Sequence, residues 1–251
     1  MELSFITQIN AFFMLIALIF VSLLAFHILV RAIKKKERNL YVLFITFSTA
    51  ITPWVPGVID YVFWLFTNDL VLSYELYIII GTAFIPFAFL GWLYIYLSTV
   101  FQKKKYLIFS LYSIILILFE IMLFFYLYFA PNAPVMELLP IVIQQKLDHY
   151  YRGLILIFTI IVVLSTVVSG IHFGVRTIRT PGLSNTIKNI KWRGRFITIA
   201  FCFYIFTIPD CIIDDQLILL PMRILCMFIF FFLYGGFVMP KWLRKILKLE
   251  R

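Results

Sequence analysis

Seven long apolar stretches, separated by short polar or basic segments, make up most of the 251-residue chain. An α-helix needs roughly 20 residues to cross the ~30 Å hydrocarbon core of a bilayer, and each stretch comes close to that length. We therefore predict an all-α membrane protein, a bundle of seven transmembrane helices. The predicted spans cover residues 10–30, 40–66, 74–101, 106–130, 151–175, 196–213 and 217–240, and a short amphipathic helix is expected in the basic tail at 241–251.

The composition agrees with lipid as the main solvent. Hydrophobic residues make up 63% of the chain and aromatic residues 19%. The mean hydropathy of +1.02 lies outside the range of soluble domains. Seven spans leave no room for a separate soluble domain, so residues 1–240 are expected to form one transmembrane domain. The first span lacks the preceding basic residues of a secretory signal and is expected to be a retained helix, in a multi-pass protein of the plasma membrane.

The net charge of +10 is distributed on one side of the predicted membrane. Of the 22 Lys and Arg residues, all except Lys146, Arg152 and Arg223 follow the first, third, fifth and seventh spans. Because cytoplasmic loops carry the excess of basic residues, the N-terminus is predicted outside and the C-terminus in the cytoplasm. This distribution argues against a nucleic-acid partner.

The predicted loop after the fifth span is the most basic segment. Its cationic residues are Arg176, Arg179, Lys188, Lys191, Arg193 and Arg195. Positive residues at this position attract the anionic headgroups of the cytoplasmic leaflet, so membrane lipids are the first expected partners. Docking of a cytoplasmic signalling protein is the alternative.

Five ionisable residues interrupt apolar stretches, and we predict that they form a ligand-binding site. They are Asp60, Glu120, Asp210, Asp214 and Arg223. A charge at the centre of a bilayer costs about 2.5–3.5 kcal/mol on insertion scales, so such residues are expected to face one another or a polar cavity. We predict a cavity that opens outward, with Arg223 paired to Asp60, Asp210 or Asp214. A static clamp between helices is the alternative.

Prolines predict interruptions in two spans. Pro53, Pro56 and Gly57 fall inside the second span, and Pro209 falls inside the sixth, each followed by an aspartate. This weak internal similarity suggests a second architecture, in which spans one to three and five to seven are repeats joined by span four, as in small-solute or ion transporters. The outer loop at 131–150 is expected to pack over the mouth of the bundle or to lie at the membrane interface.

The predicted architecture resembles rhodopsins, G-protein-coupled receptors and the seven-helix sensor modules that precede histidine kinases. The resemblance to rhodopsins and receptors rests on seven spans with the N-terminus outside, and that to sensor modules on the span count, the chain length and the exit Pro240-Lys-Trp-Leu-Arg244. Together with the ionisable residues and the basic loop, it favours a receptor-like or sensor-like protein with an outward-facing polar pocket and a basic cytoplasmic surface. Residues 217–239 contain no lysine for a retinal Schiff base, so no cofactor is expected. The third span ends in Phe101-Gln-Lys-Lys-Lys105 instead of the receptors' acidic-Arg-aromatic triplet, and Asn-Pro-x-x-Tyr is missing from the seventh.

The residues that catalysis or metal binding would require show no suitable pattern. His27, His149 and His172 lack metal-ligand spacing, and no Gly-x-Ser-x-Gly or HExxH motif occurs. The three cysteines are not arranged as paired ligands. We therefore predict that the protein is not an enzyme and holds no metal.

Overall fold

The computed structural model describes residues 3–129, 141–145, 147–182, 184–208, 212–213 and 215–249. Its helices, in chain order, are α1 (Phe5–Lys35), α2 (Arg38–Ala50), α3 (Val55–Thr67), α4 (Tyr74–Thr82), α5 (Ile85–Val100), α6 (Lys105–Phe129), α7 (Gly153–Ile178), α8 (Asn185–Tyr204), α9 (Gln216–Val238) and α10 (Lys241–Ile246). The predicted all-α class is confirmed, with one small β-hairpin added to it.

Six stretches of the described chain are helical, long and apolar enough to cross a membrane. They are Phe5–Lys35, Arg38–Thr67, Tyr74–Val100, Gln102–Tyr128, Gly153–Ile178 and Gln216–Val238. These helices make the chain a multi-pass integral membrane protein. The interruption predicted for the second span is present, because a 3-10 turn at Thr52–Trp54 separates α2 from α3.

Helix α8 differs from the predicted sixth span. It begins at Asn185, far ahead of residue 196, so most of the predicted basic loop is helical. The hydroxyl of Ser184 caps its start by accepting a hydrogen bond from the Ile187 amide at 3.3 Å. At the other end the helix passes into a 3-10 turn at Ile205–Thr207, ahead of Pro209. Because its first half carries lysines and arginines, α8 is not among the six apolar candidates.

The helices form a closed ring with one helix outside it. Around the ring, α1 contacts α2 and α3, α2 contacts α5, α5 contacts α7, α8 packs between α7 and α9, and α9 returns to α1. Helix α6 lies outside, against α5 and α7. Close packing of α7 on α8 requires Gly170, where a Cβ atom would lie 2.1 Å from the Phe201 ring.

Basic side chains collect at one end of the ring, which we term the basic end. Arg31 Nη1 donates to the Val238 carbonyl at 2.8 Å, so the last turns of α1 and α9 meet there. Lys105 Nζ lies 3.6 Å from the centre of the Tyr94 ring, and the guanidinium of Arg38 lies 5.2 Å from it. In the following α10, Leu243 is buried, whereas Trp242 and Ile246 are exposed.

A β-hairpin covers part of the opposite end. Strand β1 (Ile141–Gln145) pairs antiparallel with β2 (Asp148–Arg152), which leads directly into α7. Leu147, between the strands, is buried, and its carbonyl accepts a hydrogen bond from the Tyr77 hydroxyl at 2.8 Å. The described part of the outer loop therefore packs onto the bundle, which was the first of the two expectations for this loop.

Candidate functional site

The end of the bundle opposite the basic end contains a connected set of polar side chains, which we term the polar network. Its centre is Asp148, whose Oδ1 forms an ion pair with Arg223 Nη2 and whose Oδ2 accepts from Gln216 Nε2 at 3.0 Å. Gln216 Oε1 in turn accepts from Asn10 Nδ2 at 2.6 Å. The network thus joins α1, the hairpin and α9.

The ion pair of the network is removed from solvent. The Arg223 side chain is 2% exposed and the Asp148 side chain 14%. The guanidinium also lies 5.9 Å from the centre of the Trp54 ring, within the range of a cation–π interaction. Two opposite charges held in this way contribute a strong local dipole but no net charge.

The predicted pairing of Arg223 is therefore corrected in one respect. Asp60 is fully buried, and its Oδ1 accepts hydrogen bonds from the backbone amides of Val71 and Leu72, each at 2.9 Å, instead of pairing with Arg223. Its role is to hold the turn between α3 and α4. Asp210 and Asp214 lie outside the described residues, so the predicted pairing with them stays a prediction.

Glu120 is also separate from the polar network. It lies on α6, outside the ring, in an apolar groove between α5 and α6 with Pro86, Leu90 and Leu116. The predicted convergence of Asp60, Glu120 and Arg223 on one cavity is thus not observed. Depth along a helix can be estimated from sequence, but the side of the helix that faces the bundle depends on its neighbours.

A central cavity of about 170 Å³ extends from the polar network into the ring. Arg223, Asp148 and His149 line its polar end. Farther in, the lining includes the aromatic residues Phe47, Phe89, Trp92, Phe201, Phe230 and Phe237 and the hydroxyls of Thr46, Thr159 and Thr166. Each of these threonines donates to a carbonyl of its own helix, so its oxygen can still accept a hydrogen bond from a ligand.

His149 in this lining is neutral near pH 7. Burial lowers its pKa to about 4, the nearby Asp148 carboxylate opposes that shift, and the Arg223 guanidinium adds to it. Its Nε2 lies 3.0 Å from the Tyr151 hydroxyl. The polar end of the cavity therefore offers hydrogen-bonding groups and a compensated ion pair rather than an excess charge.

Replacing His149 by Gln is expected to flatten the pH dependence of stability. The folded-state pKa of about 4 lies below the ordinary value of 6.5, so the unfolded chain binds the proton more readily. Neutral His149 thereby contributes up to about 3 kcal/mol to the free energy of unfolding. This contribution is complete above pH 6.5 and is lost as the pH falls toward 4. Thermal unfolding in detergent across this range measures it. His172→Gln is the control, because His172 is exposed and does not line the central cavity; equal slopes for both variants would contradict the assignment.

A second cavity, of about 440 Å³, lies at the basic end. Of the six cationic residues predicted to contact lipid or a partner, Arg176 and Arg193 line it. Arg179, Lys188, Lys191 and Arg195 do not. The first two and Arg195 are exposed, and Lys191 is partly buried, with its Nζ donating to the Gly182 carbonyl at 3.2 Å. We term this space the inner cavity.

Four aromatic side chains separate the two cavities, and we term them the aromatic partition. They are Trp92, Phe173, Phe201 and Phe237. The Trp92 ring centre lies 4.5 Å from that of Phe201, 5.9 Å from that of Phe173 and 6.2 Å from that of Phe237. Trp92 Nε1 donates to Ser169 Oγ at 2.9 Å, which fixes the indole. Phe237 and Leu43 line both cavities, so the barrier is about one side-chain layer thick.

Several of these site residues were not predicted. Asp148 is one of two acidic residues in the outer loop, and Asn10 and Gln216 stand next to apolar stretches without any motif. The available signal was the presence of a polar residue at the first turn of a span. Within the part of the chain that the structure describes, no group of three or more His, Cys, Asp or Glu side chains is placed to hold a metal ion.

Comparisons with protein-family models, with curated proteins and with solved structures find no match to this chain. The fold and the cavities define a multi-pass membrane protein with a helical ring, a central cavity and a second cavity at its basic end.

Proposed function

We propose that the protein is a receptor-like or sensor-like membrane protein that binds a small molecule in its central cavity. The observation that carries this proposal is the buried Asp148–Arg223 pair at one end of a cavity with an aromatic lining. Ligand sites in proteins combine an apolar wall with a few fixed polar groups in this way. Because the pair carries no net charge and His149 is neutral, the preferred ligand is an uncharged molecule with an aromatic or aliphatic body.

In this proposal the basic end faces the cytoplasm and the polar network faces outward. The basic residues at the ends of α1, α5, α7 and α9 support that orientation through the positive-inside rule. Helix α8 then serves as a seventh span, with its basic first half in the headgroup region. Arg179, Lys188, Lys191 and Arg195 are available there to anionic headgroups or to a cytoplasmic signalling protein.

The aromatic partition supplies a route for a signal. A ligand in the central cavity would contact Trp92 and Phe237, and Phe237 also lines the inner cavity. A ligand shifts a conformational equilibrium only through different contacts in the two states. Displacement of the partition changes the spacing of α5, α7 and α9 at the basic end. A cytoplasmic partner would bind the surface of that end.

A cavity-filling variant tests the binding site. Thr166 lines the central cavity on α7, whereas Val168 on the same helix is 68% exposed on the outside. Small uncharged compounds are screened by thermal unfolding of the purified protein in detergent. A true ligand at about 100 times its Kd stabilises the wild type and Val168→Trp by about 2.7 kcal/mol but leaves Thr166→Trp unchanged. Equal stabilisation of both variants would place the ligand elsewhere.

A small-solute carrier is the second candidate, and two observations favour it. Helix α6, the fourth span, lies outside the ring, as a connector between two three-span units would. The inner cavity lies directly beyond the aromatic partition, so a modest movement could expose the central cavity on either side.

Accessibility of Cys226 distinguishes the two candidates. Cys226 lines the central cavity, and replacing Cys202 and Cys211 by serine leaves it as the single thiol. A membrane-impermeant thiol reagent is applied to vesicles of each orientation. A sensor is expected to react from the side of the polar network alone, whereas a carrier reacts from both sides.

A further inference from the structure

Two of the arginines in the basic segment differ from their neighbours because they line a cavity. Arg176 on α7 and Arg193 on α8 both line the inner cavity. Nearby Arg195 instead stacks over the Trp192 ring at 4.7 Å, and Arg179 is exposed outside the cavity. The inner cavity thus collects cationic groups from two separate helices.

The guanidinium groups of these two arginines are only weakly engaged. Within the described residues, Arg193 is partly buried and its side chain has no hydrogen bond or ion pair. Arg176 has a single long contact, 3.4 Å from its Nη1 to the Val100 carbonyl. Arg31, in contrast, donates at 2.8 Å to the Val238 carbonyl and is committed to the fold. The Arg193 guanidinium is partly buried and has five donors without an acceptor among the described residues, which indicates a site for an external acceptor. Arg176 is exposed and lies on the same lining.

The electrostatic surroundings favour an anion. Arg31 and Arg244 act on Arg193 with positive charge, and Glu37 is the one acidic residue in the described lining of the cavity. Its carboxylate opposes an anion but is outnumbered by the guanidinium groups. The remaining wall includes the apolar side chains of Leu40, Ile95 and Ile190, which suit an organic substituent.

We propose that the inner cavity binds a phosphate group between Arg176 and Arg193. The planar guanidinium matches phosphate oxygens in a bidentate geometry, and two such groups from different helices give charge and orientation together. The cavity of about 440 Å³ holds a phosphate ester with a small substituent. The phosphate can come from a lipid headgroup, which fits a basic pocket between helices at the membrane surface, or from a soluble phosphate. This site lies beyond the aromatic partition and does not depend on a ligand in the central cavity.

The test compares arginines inside and outside the cavity. The full-length protein is purified in a neutral sugar-based detergent, and its thermal unfolding is followed during titration with inorganic phosphate at constant ionic strength, with sulfate-free chloride as the balancing salt. In a second arm it is reconstituted into nanodiscs of phosphatidylcholine alone or with added phosphatidylglycerol. Arg176→Gln and Arg193→Gln are each expected to weaken the response by about tenfold, which corresponds to the loss of about 1.4 kcal/mol. The matched controls Arg179→Gln and Arg195→Gln are expected to respond to inorganic phosphate like the wild type, and to phosphatidylglycerol more strongly than the two cavity variants.

Glu37→Gln is expected to change the response to the anion in the opposite direction. It therefore distinguishes an effect on binding from a general loss of folding. Removing the single opposing carboxylate is expected to strengthen the response to the anion. A response to phosphatidylglycerol alone assigns the site to lipid headgroups, and a response to inorganic phosphate shows that a free phosphate suffices. Equal responses of the cavity and control variants, or none in either arm with folded wild-type protein, would overturn the proposal.

Discussion

Arg223→Ala is expected to lower the free energy of unfolding by about 3–5 kcal/mol, because it leaves the largely desolvated carboxylate of Asp148, 14% exposed, without its cation. The loss includes the cation–π interaction with Trp54 and disturbs the hydrogen bond from Gln216 to the same carboxylate. Unfolding by denaturant or heat in detergent measures the effect. Arg152→Ala is the matched control: Arg152 lies at the same end of the bundle but is exposed, and a change within about 0.5 kcal/mol is expected.

A double variant separates a structural clamp from a ligand site. Replacing Asp148 by Leu and Arg223 by Met removes both charges at similar volume, and such a change is often neutral or stabilising when a pair serves stability alone. If stability returns and a compound from the cavity screen still binds, the pair is a clamp between the hairpin and α9. If stability returns but binding is lost, the pair contacts the ligand. An Arg223→Ala protein as stable as the wild type would contradict the energetic importance of the pair.

Trp92→Ala is expected to join the two cavities. The indole is the centre of the aromatic partition, and its removal leaves a gap that Phe201 and Phe173 cannot fill without moving. Cys226, as the single thiol, should then react with an impermeant reagent from the basic end. The same substitution costs about 3–5 kcal/mol of stability, as expected for a buried tryptophan in a packed core.

Two control variants make this result specific. Trp242→Ala removes an indole that is 48% exposed at the basic end, so it should change neither the labelling of Cys226 nor the core. Trp92→Phe keeps a ring in the partition but loses the hydrogen bond to Ser169, so it should retain the barrier. A folded Trp92→Ala protein whose Cys226 stays protected from the basic end would show that the barrier lies elsewhere.

Particular residues show how far the sequence could lead toward the site. Arg223 was predicted to pair with Asp60, Asp210 or Asp214, because a guanidinium among apolar helices needs a carboxylate, and the structure pairs it with Asp148. Its partner Asp148 was not predicted, because the outer loop has no helical register from which its position could be estimated. Glu120 was predicted to share a site with Arg223, but α6 lies outside the ring and places Glu120 in an apolar groove between α5 and α6.

The bounds of α8 show a second limit of prediction. Hydropathy predicted a span from 196, where the apolar run begins, but the helix begins at Asn185 because capping by Ser184 and its packing on α7 and α9 are independent of hydropathy. The interruption between α2 and α3, in contrast, was predictable, because prolines remove backbone hydrogen bonds wherever they occur.

The sequence by itself determined that this chain forms a bundle of helices in a bilayer, with most of its Lys and Arg side chains at one end. Those properties depend on the length and order of apolar segments, which are one-dimensional quantities. Only the tertiary structure decided which charges meet, that Trp92 divides two cavities, and that Arg176 and Arg193 line the inner cavity while Arg179 and Arg195 do not. The rotation of each helix and the contacts of the loops are set by packing between segments distant in the chain, and no local pattern encodes them.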